Sequence, residues 1–508
     1  MESPQDAKFL TQILLGRGPN GYEAISGSDA DETFYKQEHE TQQAKLTRSC
    51  PSHLWPKGSY TTSCPRPVLI NKQHRQQLQE LSDALVASVT DIVDRWWFDT
   101  AAELPKRMPL GQKEQEILKH AEWQSIKGNL SHYSSCRGSW RPDFLVEEVR
   151  NEDGTAVENF RITEINARFS FNGFMHVAYG QSALDDTGME QHGLVSATGA
   201  KEVVDGLFAL FRPDRPLHLL KGQEAGIDIH MFVEAARRRL GSAPRVVDPA
   251  DLRLVKDAGS KSGFTLCAVL NKKPERGAAF PDVSSMFFAS DGELVEEIYQ
   301  VGLELHQREL LALSPEMLRE ISLRCFNDMR TILLVHDKRM LGIVKQELEK
   351  QVILNVLSPR QAEILDKGIV DTFLPGSLQL QKLLLRSEQC PDLHREYILK
   401  PIRSGKGDGI VFGEDLPKEE WLAALERQLS PELGLENSCV VQRRIFPRLY
   451  DVVLDPSGER QRCPLVGTYH IVNGVFLGLG IWRSSNDRVC AVSHGGAWMC
   501  SVVCKDSH

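Results

Sequence analysis

Two short runs set carboxylates and arginines at a spacing of two: Arg141-Pro142-Asp143-Phe144 and Glu164-Ile165-Asn166-Ala167-Arg168. On an extended strand, residues two apart face the same side, so Arg141 joins Asp143 and Glu164 joins Asn166. If the two strands pair, Asp143, Glu164 and Asn166 converge. Two carboxylates and an amide oxygen suit Mg²⁺, a hard cation that keeps several waters and shares phosphate oxygens. Arg141 or Arg168 is then placed to hold a transferring phosphoryl group by a bidentate contact. A solvated strand face with ordinary ion pairs is the competing reading.

A second chemical signal runs from Tyr397 to Gly413, YILKPIRSGKGDGIVFG. An apolar strand carries Lys400, and the loop after it holds Gly405, Lys406, Gly407 and Gly409. Glycines tolerate positive φ and let backbone N–H groups approach phosphate oxygens. The P-loop pattern GxxxxGK[ST] is absent, and this loop leads to a strand rather than a helix. A plain β-hairpin with a glycine turn would look the same. Further on, Ser438 to Ile445 (SCVVQRRI) reads as a strand whose edge offers backbone groups to a base, with Gln442 adding a side-chain contact.

These residues need elements to hold them. Hydrophobic spacing over 71–98 predicts a helix with Leu78, Leu81, Leu85, Val89, Ile92, Val93 and Trp96 on one face, and a second helix covers 112–128. RPDFLVEEV, the polar turn NEDGT and NFRITEINARF predict a hairpin. Over 216–256, a short apolar strand, an amphipathic helix stopped by Gly241 and a second strand region form a βαβ unit. Its turn KGQEAG lacks GxGxxG. Residues 297–356 read as mostly helical, and strands return from Tyr397. The first 60 residues are polar and are expected to form a loosely ordered arm with one short helix.

The chain of 508 residues leaves room for two to four domains with large cores. Its net charge of −9 argues against a broad nucleic-acid footprint. The absence of a long apolar run argues against a membrane span. The N-terminus lacks a basic n-region, so no secretory signal is read there. The eleven cysteines form no CxxC pair and are expected to be free thiols in a reducing cytosol. A cytoplasmic protein is the expectation.

Together, the two chemical halves resemble ATP-grasp enzymes, in which a strand lysine and a glycine loop hold ATP phosphates and a Glu-x-Asn strand with an upstream acid holds Mg²⁺. ITEINARFSFNG is similar to the family's metal strand. Here it precedes the lysine and loop by more than 200 residues. That order resembles the circularly permuted branch typified by the synthetase domain of glutathionylspermidine synthetase. HDKRMLGIV, with Lys338, resembles the branch's additional phosphate-contacting lysine, and GTYHIVNGVFLGLGIWRSS resembles a paired-strand segment ending in a phosphate-side arginine, Arg483. The likeness covers roughly 135–490. It departs from the branch in two long gaps, Asp143 to Glu164 and Lys338 to Lys400, and no amidase domain is seen. A stand-alone chain of this kind also resembles the ATP-grasp proteins of fungal secondary-metabolite pathways.

The resemblance implies an α+β / α/β architecture: an ATP-grasp fold in permuted order, a Rossmann-like pre-ATP-grasp domain, and a helical, partly disordered N-terminal extension. The implied division is 1–60 arm, 61–215 helices and metal strands, 216–330 pre-ATP-grasp domain, and 331–508 lysine and glycine-loop part. It also implies a carboxylate–amine ligase using ATP and two Mg²⁺ ions, with a small-molecule carboxylic acid (amino acids among the candidates) and an amine as partners. Asp143, Glu164 and Asn166 would hold metal. Lys338, Lys400, Gly405, Lys406, Gly407, Gly409 and Gln442 would hold nucleotide, and Arg141, Arg168 and Arg483 would serve the chemistry. A phosphotransferase on a small molecule and a non-catalytic nucleotide-binding protein are the alternatives.

Overall fold

The computed structural model describes residues 8–28, 30–260, 262–270, 285–405, 407–430 and 434–505. The half carrying Asp143 and Glu164 is built on an antiparallel sheet with the hairpin of Ser139–Arg150 and Ala156–Asn166 at one end of its strand order. Phe144, Val146, Phe160 and Ile162 alternate into the core and are fully buried. The strand Val466–Val472 pairs antiparallel on the hairpin's other side, and Trp482–Ser484 follows it. The helix Lys72–Asp94 buries Leu78, Leu81, Leu85, Val89 and Ile92 in the same core. Asn71 caps it, accepting from the His74 N–H at 2.8 Å.

The lysine half is a four-stranded antiparallel sheet in the order Thr372–Phe373, Cys439–Arg443, Tyr397–Pro401, Val411–Phe412. Helices Leu378–Gln389 and Lys418–Leu429 cover it, packing Leu380, Leu383, Trp421 and Leu425 against Leu399 and Val441.

The βαβ reading of 216–256 corresponds to His218–Lys221, helix Ile229–Leu240 and Arg245–Val247, with the two strands parallel. Val301–Glu304 joins the same small sheet on its other side, also parallel. The segment after Arg245–Val247 turns away: Leu252–Lys256 belongs to a separate four-stranded antiparallel sheet.

The expected loose arm is a correction. Thr11–Leu15 is an inner strand of a five-stranded sheet that also contains Val68–Leu69 and Ser501–Cys504, and Glu32–Ser49 is a helix of 18 residues capped by Asp31. The segment is polar because its buried groups are polar and paired. Arg66, fully buried, donates to Glu38 (3.1 Å), His39 (2.6 Å) and the carbonyls of Val453 (2.9 Å) and Asp455 (3.2 Å). Composition does not reveal such long-range pairing. Among the described residues no helix is long and apolar enough to cross a membrane. All eleven cysteines are free.

Candidate active site

The hairpin sets Asp143 directly opposite Glu164, and Arg141 opposite Asn166. Directly opposed Cβ atoms lie about 4.5–5.5 Å apart, so the two carboxylates share one locality. Beside this pair the register shifts: Phe144 faces Ile162, leaving Thr163 as an extra residue. Bulges of this kind leave a residue outside the ladder and re-aim its neighbours. The Thr163 carbonyl accepts from Lys400 Nζ at 3.3 Å and from Gln442 Nε2 at 3.1 Å. The irregularity in the metal hairpin is therefore the point at which the lysine sheet attaches.

The charges interlock. Arg141 grips Asp143 with both arms of its guanidinium, Nε to Oδ1 at 2.9 Å and Nη2 to Oδ2 at 3.2 Å. Arg483 adds a contact to Oδ2 at 2.7 Å. Glu164 lies 3.6 Å from the Lys338 ammonium, and Asn166 Nδ2 is 3.4 Å from Glu164 Oε1. Burial alone would raise the Glu164 pKa, but Lys338, Lys400, Arg141 and Arg483 outweigh it and hold it near 2. Burial lowers the Lys400 pKa to about 8, against the attraction of Glu164. Burial also opposes charge on Arg483, but Asp143 more than offsets it and the pKa is raised.

Lys338 stands just ahead of the helix Arg339–Ile353. Its backbone N–H donates to the Ile402 carbonyl at 3.1 Å, and its ammonium donates to the Ser404 carbonyl. It therefore holds the stem of the glycine segment. Gly407 has φ +83, and a Cβ there would meet Val489 Cγ1 at 2.4 Å, so only glycine fits. Gly405 has open space around it.

One cleft of about 1020 Å³ is lined by Arg141, Asp143, Glu164, Asn166, Arg168, Lys400, Gly405, Gly407, Gln442 and Arg483. Lys338 lies behind it, reaching Glu164. Gly409 is exposed, with φ +75, and does not line the cleft; it shapes the turn instead. Lys406 lies outside the described residues. Gln442 is buried, and its amide also donates to Thr372 Oγ1 at 3.0 Å. It ties the two sheets together through Thr163 while also lining the cleft. Among the described residues, no group of three or more His, Cys, Asp and Glu could hold a metal ion. At the hairpin, two carboxylates and an amide, Asp143, Glu164 and Asn166, line the cleft together.

Sequence reasoning missed Thr163, Arg403 and His336. The Arg168 guanidinium donates to His336 Nε2 at 3.0 Å and to the Arg403 carbonyl at 3.2 Å. Arg403 in turn pairs with Glu114 at 2.7 Å and with Asp337 at 3.3 Å. Burial, then Arg168 and Lys338, push the His336 pKa well down, so the imidazole is neutral. The only sequence signal was adjacency: His336 and Asp337 directly precede Lys338.

Comparison with known proteins gives this geometry a family. A family model described as the AnkG N-terminal domain matches residues 81–334. The ATP-grasp enzyme ankG of Aspergillus thermomutatus is 35% identical over 504 residues, covering 97% of this chain and 100% of that protein. The chain belongs to the ATP-grasp family of AnkG. Among solved structures, the apo form of a glutathione synthetase-like effector, GSS30, from Globodera pallida superposes with a TM-score of 0.51 at 10% identity, covering 93% of this chain and 98% of that one. At that identity the likeness concerns the fold alone. In this ATP-grasp chain the family match ends at residue 334, ahead of Lys338, Lys400 and Arg483.

Proposed function

We propose that the protein is an ATP-dependent carboxylate–amine ligase, forming an amide through an acyl-phosphate intermediate and releasing ADP and phosphate. One observation carries this reading: Asp143, Glu164 and Asn166 face Lys400 across a single cleft, with Lys338 touching Glu164. A carboxylate is a poor electrophile and does not acylate an amine at neutral pH. Transfer of the γ-phosphoryl group of ATP to its oxygen creates a leaving group, and attack by the amine nitrogen on the carbonyl then expels phosphate. The work left to the protein is positioning and charge neutralisation.

The residues fit ATP and Mg²⁺. The Nε atoms of Arg168 and Arg483 are buried without a protein partner, and both side chains line the cleft. They are suited to phosphate oxygens or the transferring group. Asp143, Glu164 and Asn166 would hold two Mg²⁺ ions, which when bound neutralise phosphate charge. Lys400 and Lys338 would spread the charge of the γ-phosphoryl group, and Arg141 would keep Asp143 aimed. The segment around Gly405 and Gly407 would cover the phosphates and exclude water.

In this reading the metal strands precede the nucleotide-binding lysine because the family's order is permuted, and the parallel unit around His218–Lys221 serves as the pre-ATP-grasp domain. The resemblance of the sequence to ATP-grasp proteins of fungal secondary-metabolite pathways, with a fungal ATP-grasp enzyme as relative, motivates a place in secondary metabolism. The test is Mg²⁺-dependent ADP release on mixing with pooled carboxylic acids and amines, with hydroxylamine as a trap. Hydroxamate formation supports the ligase. A stable phosphorylated product without hydroxamate would replace the reading by a phosphotransferase.

A further inference from the structure

Two buried imidazoles near the metal hairpin have no role in the scheme above. His176 is in the first turn of the helix Phe174–Asp185, and His470 is on the strand Val466–Val472. They are 3% and 1% exposed, and both line the cleft. Each has an Nδ1 that is buried with no protein partner. An unmatched buried polar atom normally costs stability, so two at one place call for an explanation.

Their placement is defined from three sides. Thr468 stands opposite Asp143, and the same register sets His470 opposite Arg141. His470 is thus one alternation further along the cleft face than the acidic pair, on the side of Arg141 and away from Leu145. His176 Nε2 is 2.9 Å from the Ser59 hydroxyl, and its ring meets Trp55 edge-on at 5.3 Å. The ring of Phe174 lies 4.2 Å from that of His470. Gly173, between hairpin and helix, has φ +92, and a Cβ there would lie 3.7 Å from Arg141 Nη1, narrowing the approach to the guanidinium. When Ser59 donates to Nε2, Nδ1 of His176 carries the ring proton and is a donor without a protein partner.

We propose that His176 and His470, flanking Arg141, form the subsite that holds a carboxylate of the acid substrate, with Trp55 and Phe174 as its apolar walls. The proposal rests on the ligase reading and names where one of its two substrates sits. Charge selects the ligand class. Arg141 acts electrostatically on both rings. The rings themselves are neutral, because burial first and then Arg141 push their pKa values down, to about 4 for His176 and about 3 for His470. Arg141 is paired with Asp143, but Arg141 and Arg483 together exceed that carboxylate by one positive charge, so neutral donors beside them attract an anion, whereas an ammonium group would meet like charge. The pocket also explains why a segment from the polar N-terminal region, through Trp55 and Ser59, reaches the cleft at all.

The experiment is saturation-transfer NMR on the full chain with Mg²⁺ and a non-hydrolysable ATP analogue. The probes are a mixture of proteinogenic amino acids and short mono- and dicarboxylic acids, and separately a mixture of simple amines. The expected result is a carboxylate whose affinity falls about tenfold in His470→Leu and in His176→Leu, the scale of one hydrogen bond to a charged group. His470→Asn and His176→Asn, which keep an amide near the Nδ1 position, should recover part of the loss. Melting curves identify variants that have merely unfolded, and the Asn pair remains informative if the Leu pair does not fold. Binding of no acid by the native chain, equal binding by all variants, or loss confined to amines would each overturn the proposal. Nucleotide binding is read in the same samples. Its absence would instead count against the ATP-dependent reading itself, and its persistence in the histidine variants keeps the two failures apart.

Discussion

Asp143 and Arg483 are 340 positions apart in the chain and 2.7 Å apart in the fold. The contact joins the metal hairpin to the last strands of its sheet, and Arg141 holds the same carboxylate from the other side. Asp143 is 3% exposed and pairs with both arginines. Arg483→Met should lower turnover by about 10²-fold, the scale for removing one preorganised charge. The melting temperature should fall as well, because a buried carboxylate loses a partner. Normal turnover in a folded Arg483→Met protein would exclude Arg483 from the site.

Lys400 gives a pH signature. In the nucleotide-free chain its pKa is depressed to about 8 by burial, so it loses its proton well below the usual lysine range. Bound triphosphate favours the charged form and raises that pKa, so binding takes up a proton above about pH 8. Affinity should then fall as pH rises, by up to about tenfold per pH unit. A fluorescent ATP analogue titrated across that range should show the slope in the native chain and a flatter profile in Lys400→Arg, which stays charged. Lys400→Ala should reduce turnover by about 10²-fold or more.

Glu164→Gln keeps the shape and removes the charge between Lys338 and Lys400. Turnover should fall most steeply at low Mg²⁺. Glu148→Gln is the control, since Glu148 is exposed and pairs with Arg448 outside the cleft. Acid stability gives a second readout. The folded Glu164 pKa is near 2 against an ordinary 4.5, so its stabilising contribution is complete above about pH 4.5 and is lost as pH falls towards 2. Glu164→Gln should therefore unfold with a shallower dependence on pH over that interval. Identical acid profiles would show that Glu164 is not held by the lysines.

Gln12 tests the folded N-terminal region. It is 1% exposed, and its amide accepts from the Val453 N–H at 2.8 Å and donates to the Val453 carbonyl at 3.3 Å. Gln12→Leu leaves the Val453 N–H unmatched, while the carbonyl keeps its bond from Arg66, and should cost about 1–3 kcal/mol, read by urea unfolding. A neutral result would mean that the arm contributes nothing to the fold.

The parts legible in the sequence were those with periodicity or adjacency. The hairpin followed from alternation around Phe144, Val146, Phe160 and Ile162. The helix 72–94 followed from its apolar face. Lys400 and its glycines formed one contiguous run. The bulge at Thr163 was invisible, because a register shift is a property of two strands and neither one alone encodes it. The region around Gln12 and Arg66 was misread because its burial is secured by hydrogen bonds to residues some 390 to 440 positions away. Gln442 was found, but its principal bond goes to the carbonyl that the bulge sets free.

The order of the cleft's parts along the chain has a consequence for biosynthesis. A ribosome makes the Asp143 and Glu164 hairpin before Lys400 and Lys400 before Arg483, while chains fold as they emerge. Until the strand carrying Arg483 is delivered, the nascent hairpin has two acidic groups and an incomplete set of counter-charges. On the proposed ligase reading, turnover therefore requires synthesis to have passed Arg483, so that competence follows the completion of this charge set.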